Sequence, residues 1–214
     1  AALRENYCVV ALDRQPAEAA ERSFVCDIGD DDSVRQALRE FRAEFGARIA
    51  SVVHLAAYFD FTGEDNPLYE RVNVDGTRRL LRFLQDFDVG QFVYSGTMLV
   101  HAPCKPGEYI DETAPIEPKW AYPRSKARAE EVLRRERGRI PAVLLHIAGV
   151  YDQNTVVPPL AQQIARIYER NVKSRLYTGD LAAGQSMVHS DDLVDAMVRA
   201  IGRRHEMPEE VVLL

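Results

Sequence analysis

The chain has little cysteine, and what it has shows no order. Cys8, Cys26 and Cys104 are odd in number and show no CxxC spacing, so neither a disulfide framework nor a thiolate metal cluster is indicated. The simplest setting is a reducing, cytoplasmic one. Long apolar runs are absent too. Runs such as Val143–His146 and Val211–Leu214 fall far short of the roughly 20 residues that cross a bilayer. No charged-then-apolar leader opens the sequence. Positive charge is in deficit: 27 Lys and Arg against 33 Asp and Glu give a net −6, which argues against a nucleic-acid surface. Low-complexity tracts, internal repeats and a Pro/Gly-rich linker are not found.

What remains is an average globular chain of 214 residues, 46% hydrophobic and 28% charged. That is one full domain's worth. Strand-like and helix-like stretches alternate. The strand candidates are 7–12, 23–26, 51–56, 91–95, 142–148 and 211–214. The helix candidates are 31–45, 67–87, 121–137, 156–171 and 190–203. In 31–45, Val34, Ala37, Leu38, Phe41 and Phe45 recur at steps of three and four, which gives one buried face. The strands at 51–56 and 91–95 are nearly all apolar, as expected when helices cover both faces of a sheet. Such alternation specifies a parallel α/β sheet with right-handed crossovers. Residues 1–6 read as the last turn of a helix, and 208–214 as a turn and a strand that stop. The expectation is a chain that begins and ends in mid-element.

Three features carry chemistry. Asp13 ends the first strand. An acid there accepts hydrogen bonds from the adenosine ribose in a dinucleotide-binding βαβ unit, roughly 20 residues after a Gly-rich phosphate loop. That count runs back past residue 1, so the loop is expected to be absent from this chain. Asp13 also reads as an ordinary strand-end turn acid, and the neighbouring Arg14 can contact a 2′-phosphate, which keeps NADP open beside NAD. Second, Tyr122-Pro-Arg-Ser-Lys126 places a phenol and an ammonium at i and i+4, on one helix face. A lysine so placed stabilises phenolate and lowers the phenol's pKa, although such pairs also occur on solvated faces. Pro123 requires the helix to start within a few residues of Tyr122. Third, Thr97 lies 25 residues before Tyr122, just past an apolar strand, at the sheet edge where ligands bind in open α/β folds.

With these in place, the chain resembles the extended short-chain dehydrogenase/reductase superfamily, specifically its NAD-dependent epimerase/dehydratase family. The matching stretches are Val9–Asp13, Cys26-Asp27-Ile28, Val52–Ala57, Asn73-Val-Asp-Gly-Thr77, Tyr94–Thr97, Tyr122 with Lys126, and Met187–Leu193. The resemblance implies a doubly wound, Rossmann-like parallel sheet that lacks its first strand in this chain. It implies a dinucleotide-binding domain over 1–150 and a partial substrate-binding region over 151–214, packed on the same domain. It implies NAD lined by Asp13, Asp27, Ile28, Leu55, Ala56, Ala57 and Asn73. Lys126 would reach the nicotinamide ribose, Tyr122 would stand beside the cofactor and transfer the proton, and Thr97 would orient the substrate oxygen. The substrate would be a sugar-like alcohol or ketone, and the assembly a homodimer, with no metal, nucleic acid or membrane partner.

Several positions depart from the family pattern. Met98-Leu99 follows Thr97 where sugar-nucleotide dehydratases carry an Asp-Glu pair, which disfavours water loss. His146 stands where an arginine is common, and Gln185 where an arginine grips a nucleotide diphosphate, so a nucleotide-sugar is permitted without being supported. The alternatives are an NADPH-dependent carbonyl reductase and a non-catalytic cofactor-binding module. His54, on a buried strand, reads as structural. His189 with Asp191 and Asp192 reads as a helix start capped by Ser190 rather than a metal site. Arg134–Arg139 reads as a solvated face.

Overall fold

The computed structural model describes residues 2–60, 62–105, 107–153, 158–170 and 184–214. The strands are β1 (Val10–Asp13), β2 (Arg22–Val25), β3 (Arg48–Ile49), β4 (Val52–His54), β5 (Asp88–Val89), β6 (Phe92–Thr97), β7 (Ala142–Ile147), β8 (Gly149–Tyr151), β9 (Met187–His189) and β10 (Glu210–Leu213). The helices are α1 (Asp31–Phe45), α2 (Asp75–Leu84), α3 (Ala121–Glu136), α4 (Pro158–Tyr168) and α5 (Ser190–Gly202). Among the described residues every pairing between these strands is parallel, as the alternation predicts. β4, β6, β7 and β10 form one sheet in the order β10-β7-β6-β4, and β1 pairs with β2 alone. The sheet is thus interrupted between β1 and β4, at the place of the central strand of a doubly wound topology.

α1 has the bounds its periodicity predicts. Asp30 caps it by accepting from Ser33 N at 2.7 Å, and Gly46, at φ 82°, ends it. Its buried Val34, Ala37 and Leu38 join Phe24, Leu81, Leu84, Phe92 and Leu133 in the main core. β6 is the centre of the sheet, with five of its six residues buried. A second cluster, on Val93, Val143, Leu145 and Ile201, seats α5 against the sheet.

Other bounds shift for local reasons. β1 begins at Val10 rather than Tyr7, because Val9 N bonds to the Glu21 side chain and the parallel register starts one residue later. β4 stops at His54, and Leu55–Ala57 leave the sheet. The helix expected over 67–87 contains a wide π turn at Tyr69–Val74 and ends at Leu84. Phe87 leaves it to pack on Phe41, and Asp88–Val89 pair with β3. Residues 2–6 form turns, with one helical bond from Tyr7 N to Leu3 O, in place of a helix end. Both ends of the helix expected over 156–171 lie outside the described residues, and α4 is its described part. α5 is capped by His189, whose Nδ1 accepts from Asp191 N at 3.2 Å, so the cap is one residue earlier than Ser190. In the run 134–139, Arg137 is half-buried and donates to Ile140 O, while Arg134 pairs with Glu210.

Candidate active site

The break in the sheet opens into a cavity of about 630 Å³. Three strand ends supply its polar rim and floor. From β1 comes Asp13, whose Oδ1 accepts from Gln15 N at 3.0 Å. From the end of β2 come Asp27 and Ile28, with Asp27 Oδ1 accepting from Gly29 N at 2.8 Å. From β4 come Leu55, Ala56 and Ala57; Leu55 is 59% exposed, an apolar face open to a ligand. Arg14 is the one cation among its described lining residues. An acid at a strand end, a second acid beside it and a flat apolar floor fit the adenosine half of a dinucleotide. Cys26 also lines the cavity, and burial, then Asp27 and Asp13, push its thiol up to about 11. It is therefore an inert thiol at neutral pH. Asn73, expected beside these residues, does not line the cavity. It is buried, its Oδ1 accepting from Tyr58 N at 2.7 Å and its Nδ2 donating to Tyr58 O and Ser125 Oγ.

Thr97, Tyr122 and Lys126 lie on two packed elements, β6 and α3. Thr97 ends β6, and its hydroxyl accepts from Leu99 N at 3.3 Å, starting a short 3₁₀ turn. Tyr122 is the second residue of α3, with Pro123 in the first turn as required. Phe59 stands edge-on to the phenol ring, with centroids 4.6 Å apart, and Trp120 and Tyr69 complete an aromatic cage. One turn on, the Lys126 ammonium sits 4.4 Å from the centre of the Tyr94 ring, a cation–π contact.

The electrostatics depart from expectation. Burial pushes Tyr122 up to about 12, with Tyr69 adding to it, and no lowering by the lysine enters. Burial pulls Lys126 down to about 8, against an opposing pull from Glu130. The cage removes water from the phenol and the sheet removes it from the lysine, so desolvation sets the direction of both shifts. At neutral pH Tyr122 is a phenol able to donate.

His54 is a core histidine. It is buried, bonded to the Thr77 hydroxyl at 3.1 Å, and held neutral by burial and then by Lys126, down to about 3. Among the described residues no cluster of metal-ligating residues occurs, and no helix is long and apolar enough to cross a membrane. Sequence reasoning missed a buried link of Glu130 to His146 and of His146 to His101. The available signals were Glu130 one turn after Lys126 and a histidine inside the apolar run Val143–Ile147.

A family model described as NAD dependent epimerase/dehydratase family matches residues 1–213. The N-acetyl-alpha-D-glucosaminyl-diphospho-ditrans,octacis-undecaprenol 4-epimerase of Escherichia coli O157:H7 is 31% identical over 137 residues, covering 64% of this chain and 38% of that relative. Among solved structures, UDP-glucose 4-epimerase of Thermus thermophilus, in complex with NAD, is similar with a TM-score of 0.75 at 26% identity. That match covers 98% of this chain and 70% of the other. The Bordetella bronchiseptica enzyme WbmG, in complex with NAD and UDP, shares the fold with a TM-score of 0.73 at 18% identity, over 93% of this chain and 62% of the other.

Proposed function

The chain belongs to the NAD dependent epimerase/dehydratase family, and on that premise we propose that it serves an NAD-dependent epimerase acting on a sugar carried by a diphosphate. The observation that carries this reading is the packing of α3, with Tyr122 and Lys126 one turn apart, against β6, which ends at the Thr97 hydroxyl. The relatives support the sugar and the inversion, since two are named as 4-epimerases, one of a diphospho-linked sugar and one of UDP-glucose.

Asp13 would hold the adenosine ribose, Asp27 and Ile28 would border the adenine, and Leu55, Ala56 and Ala57 would run beneath the dinucleotide. When bound, the nicotinamide supplies a place for a hydride to leave to and return from. Thr97 donates to the sugar oxygen and fixes it. With NAD bound the hydroxyl is oxidised first, and for that Tyr122, a phenol at rest, must first lose its own proton to solvent. The phenolate then takes the hydroxyl proton and returns it to the ketone in the reducing half. Lys126 supplies the positive charge that favours the phenolate in the oxidising half. Met98 and Leu99 offer no acid after Thr97, so water loss gains no support. Residues 1–150 would serve the dinucleotide and 151–214 the sugar, in a cytoplasmic homodimer.

A second reading, a carbonyl reductase using NADPH, is favoured by the protonated Tyr122 and by Arg14 beside Asp13. One experiment separates the two. The NAD-loaded protein is incubated with UDP-hexoses and with diphospho-linked N-acetylglucosamine, and inversion at the ring carbons is followed by NMR. Inversion without net cofactor consumption is the expected result. NADPH consumed mole for mole with a carbonyl supports the reductase, and neither activity overturns both.

A further inference from the structure

One turn beyond Lys126 on α3, Glu130 is 1% exposed. Its carboxylate lies 3.2 Å from His146 Nε2 on β7; His146 Nδ1 lies 2.8 Å from His101 Nε2; His101 Nδ1 lies 3.0 Å from the Ala114 carbonyl oxygen. Both imidazoles are buried, at 2% and 4% exposure. Three hydrogen-bonding contacts thus run in series, the first two buried and the last part-buried, joining the helix of Tyr122 and Lys126 to the segment that follows Thr97.

Counting donors fixes the charge. Each of the three links needs one proton. The Ala114 carbonyl only accepts, so His101 Nδ1 must carry a hydrogen. If Glu130 is ionised, His146 Nε2 must carry another, and the N···N contact needs a third. The two rings then hold three protons, one more than two neutral imidazoles, for a charge of +1 against −1 on Glu130. If the third proton sits on the carboxyl instead, both rings are neutral. Either way the fully bonded chain is neutral overall. Losing one proton breaks one link and leaves a buried charge of −1, an arrangement that burial makes costly.

We propose that the Glu130–His146–His101 chain is a one-proton store that acts as a positioning device for Lys126, setting how firmly that lysine keeps its charge. This rests on the reading of Tyr122 and Lys126 as the proton-transfer pair. While the store is full, Lys126 faces a neutral chain. When the store empties, Lys126 faces a negative one and holds its proton to higher pH. The other groups facing the chain are Arg134, 3.7 Å from Glu130 on α3; Tyr94 on β6; and Asp111 in the segment after Thr97. Glu130 already acts electrostatically on both Lys126 and Tyr94. Arg134 is exposed and its pull is screened by water. His54, which is buried and feels the Lys126 charge, is held neutral, and burial keeps Tyr94 a phenol, so neither adds a charge that changes beside the lysine.

The test is a pH titration of the NAD-loaded protein by NMR, reading the imidazole nitrogens of His101 and His146, the carboxyl carbon of Glu130 and the ε-carbon of Lys126. Three protons shared among the store at neutral pH are expected, with a two-step Lys126 curve. In Glu130→Gln, Lys126 should reach half-titration about one pH unit lower, a tenfold loss in proton affinity. In His146→Arg, a fixed cation replaces the store and the Lys126 curve should become a single step. Two protons at neutral pH in the wild type would overturn the proposal, as would Lys126 curves that superimpose in wild type and both variants. None of these readings needs turnover, so inactivity of the pair, decided by Tyr122→Phe, would be seen separately.

Discussion

Asn73 Nδ2 donates to Ser125 Oγ at 2.8 Å, and that hydroxyl in turn donates to the Tyr122 carbonyl at 2.7 Å. The same asparagine holds both backbone groups of Tyr58. One buried amide therefore ties the π turn, the start of α3 and the segment carrying Phe59 into one frame around the Tyr122 ring.

Removing that amide should loosen the frame. Asn73→Ala leaves buried partners unmet, a loss of about 1–3 kcal/mol. At about 2–4 °C per kcal/mol for a chain of this size, the thermal midpoint should drop measurably. Calorimetry checks it, and an unchanged midpoint would show that the clamp contributes nothing.

Asp13 should select the cofactor. A carboxylate at the ribose repels a 2′-phosphate, so NADH should bind at least tenfold tighter than NADPH, about 1.4 kcal/mol. Asp13→Asn should narrow the gap, leaving Arg14 to favour the phosphate. Fluorescence titrations with both cofactors read this directly, and NADPH binding tenfold tighter would reverse the assignment.

Burial of Lys126 should be visible in stability. Its pKa falls from the usual 10.5 to about 8 in the folded state. Between those values the unfolded chain binds the extra proton, so this group makes stability rise with pH, by at most about 1.4 kcal/mol per pH unit. Cys26, raised to about 11, opposes it above its ordinary 9. The wild-type curve minus that of Lys126→Met isolates the lysine. Denaturant unfolding from pH 7 to 11 should give a difference that climbs from about 8, and a flat one would mean that Lys126 is hydrated.

Gly96 should not tolerate a methyl group. A Cβ there would lie 2.8 Å from the Leu145 carbonyl oxygen, 2.9 Å from Glu130 Oε1 and 3.0 Å from His146. Backbone cannot yield, so Gly96→Ala should destabilise by about 1–3 kcal/mol. An unaltered denaturant midpoint would contradict the packing of β6 on β7 and α3.

Much of the fold was legible because it rests on periodicity. α1 is an apolar stripe between an Asp cap and a glycine, and β6 is an apolar run ending in hydroxyls. β3, β5, β8 and β9, two or three residues each, are too short to carry a period, and partner strands alone define them. The acids and apolar residues at the ends of β1, β2 and β4 were placed at one site by the family resemblance, and they line one cavity. Asn73, placed there with them, does not line it, since its side chain turns to Tyr58 and Ser125. The direction of the Tyr122 shift was out of reach because it depends on Phe59 and Trp120 closing over the phenol. The link between His101 and His146 spans 45 positions and leaves no local pattern.

The most direct test of the central claim is turnover of the NAD-loaded Tyr122→Phe variant on the sugar that the wild type inverts. The ring still fills its cage, so the fold should persist while the transferable proton is gone. The account predicts a fall of about 10²- to 10⁴-fold in kcat, with circular dichroism and cofactor affinity unchanged. More than half the wild-type rate remaining would contradict it.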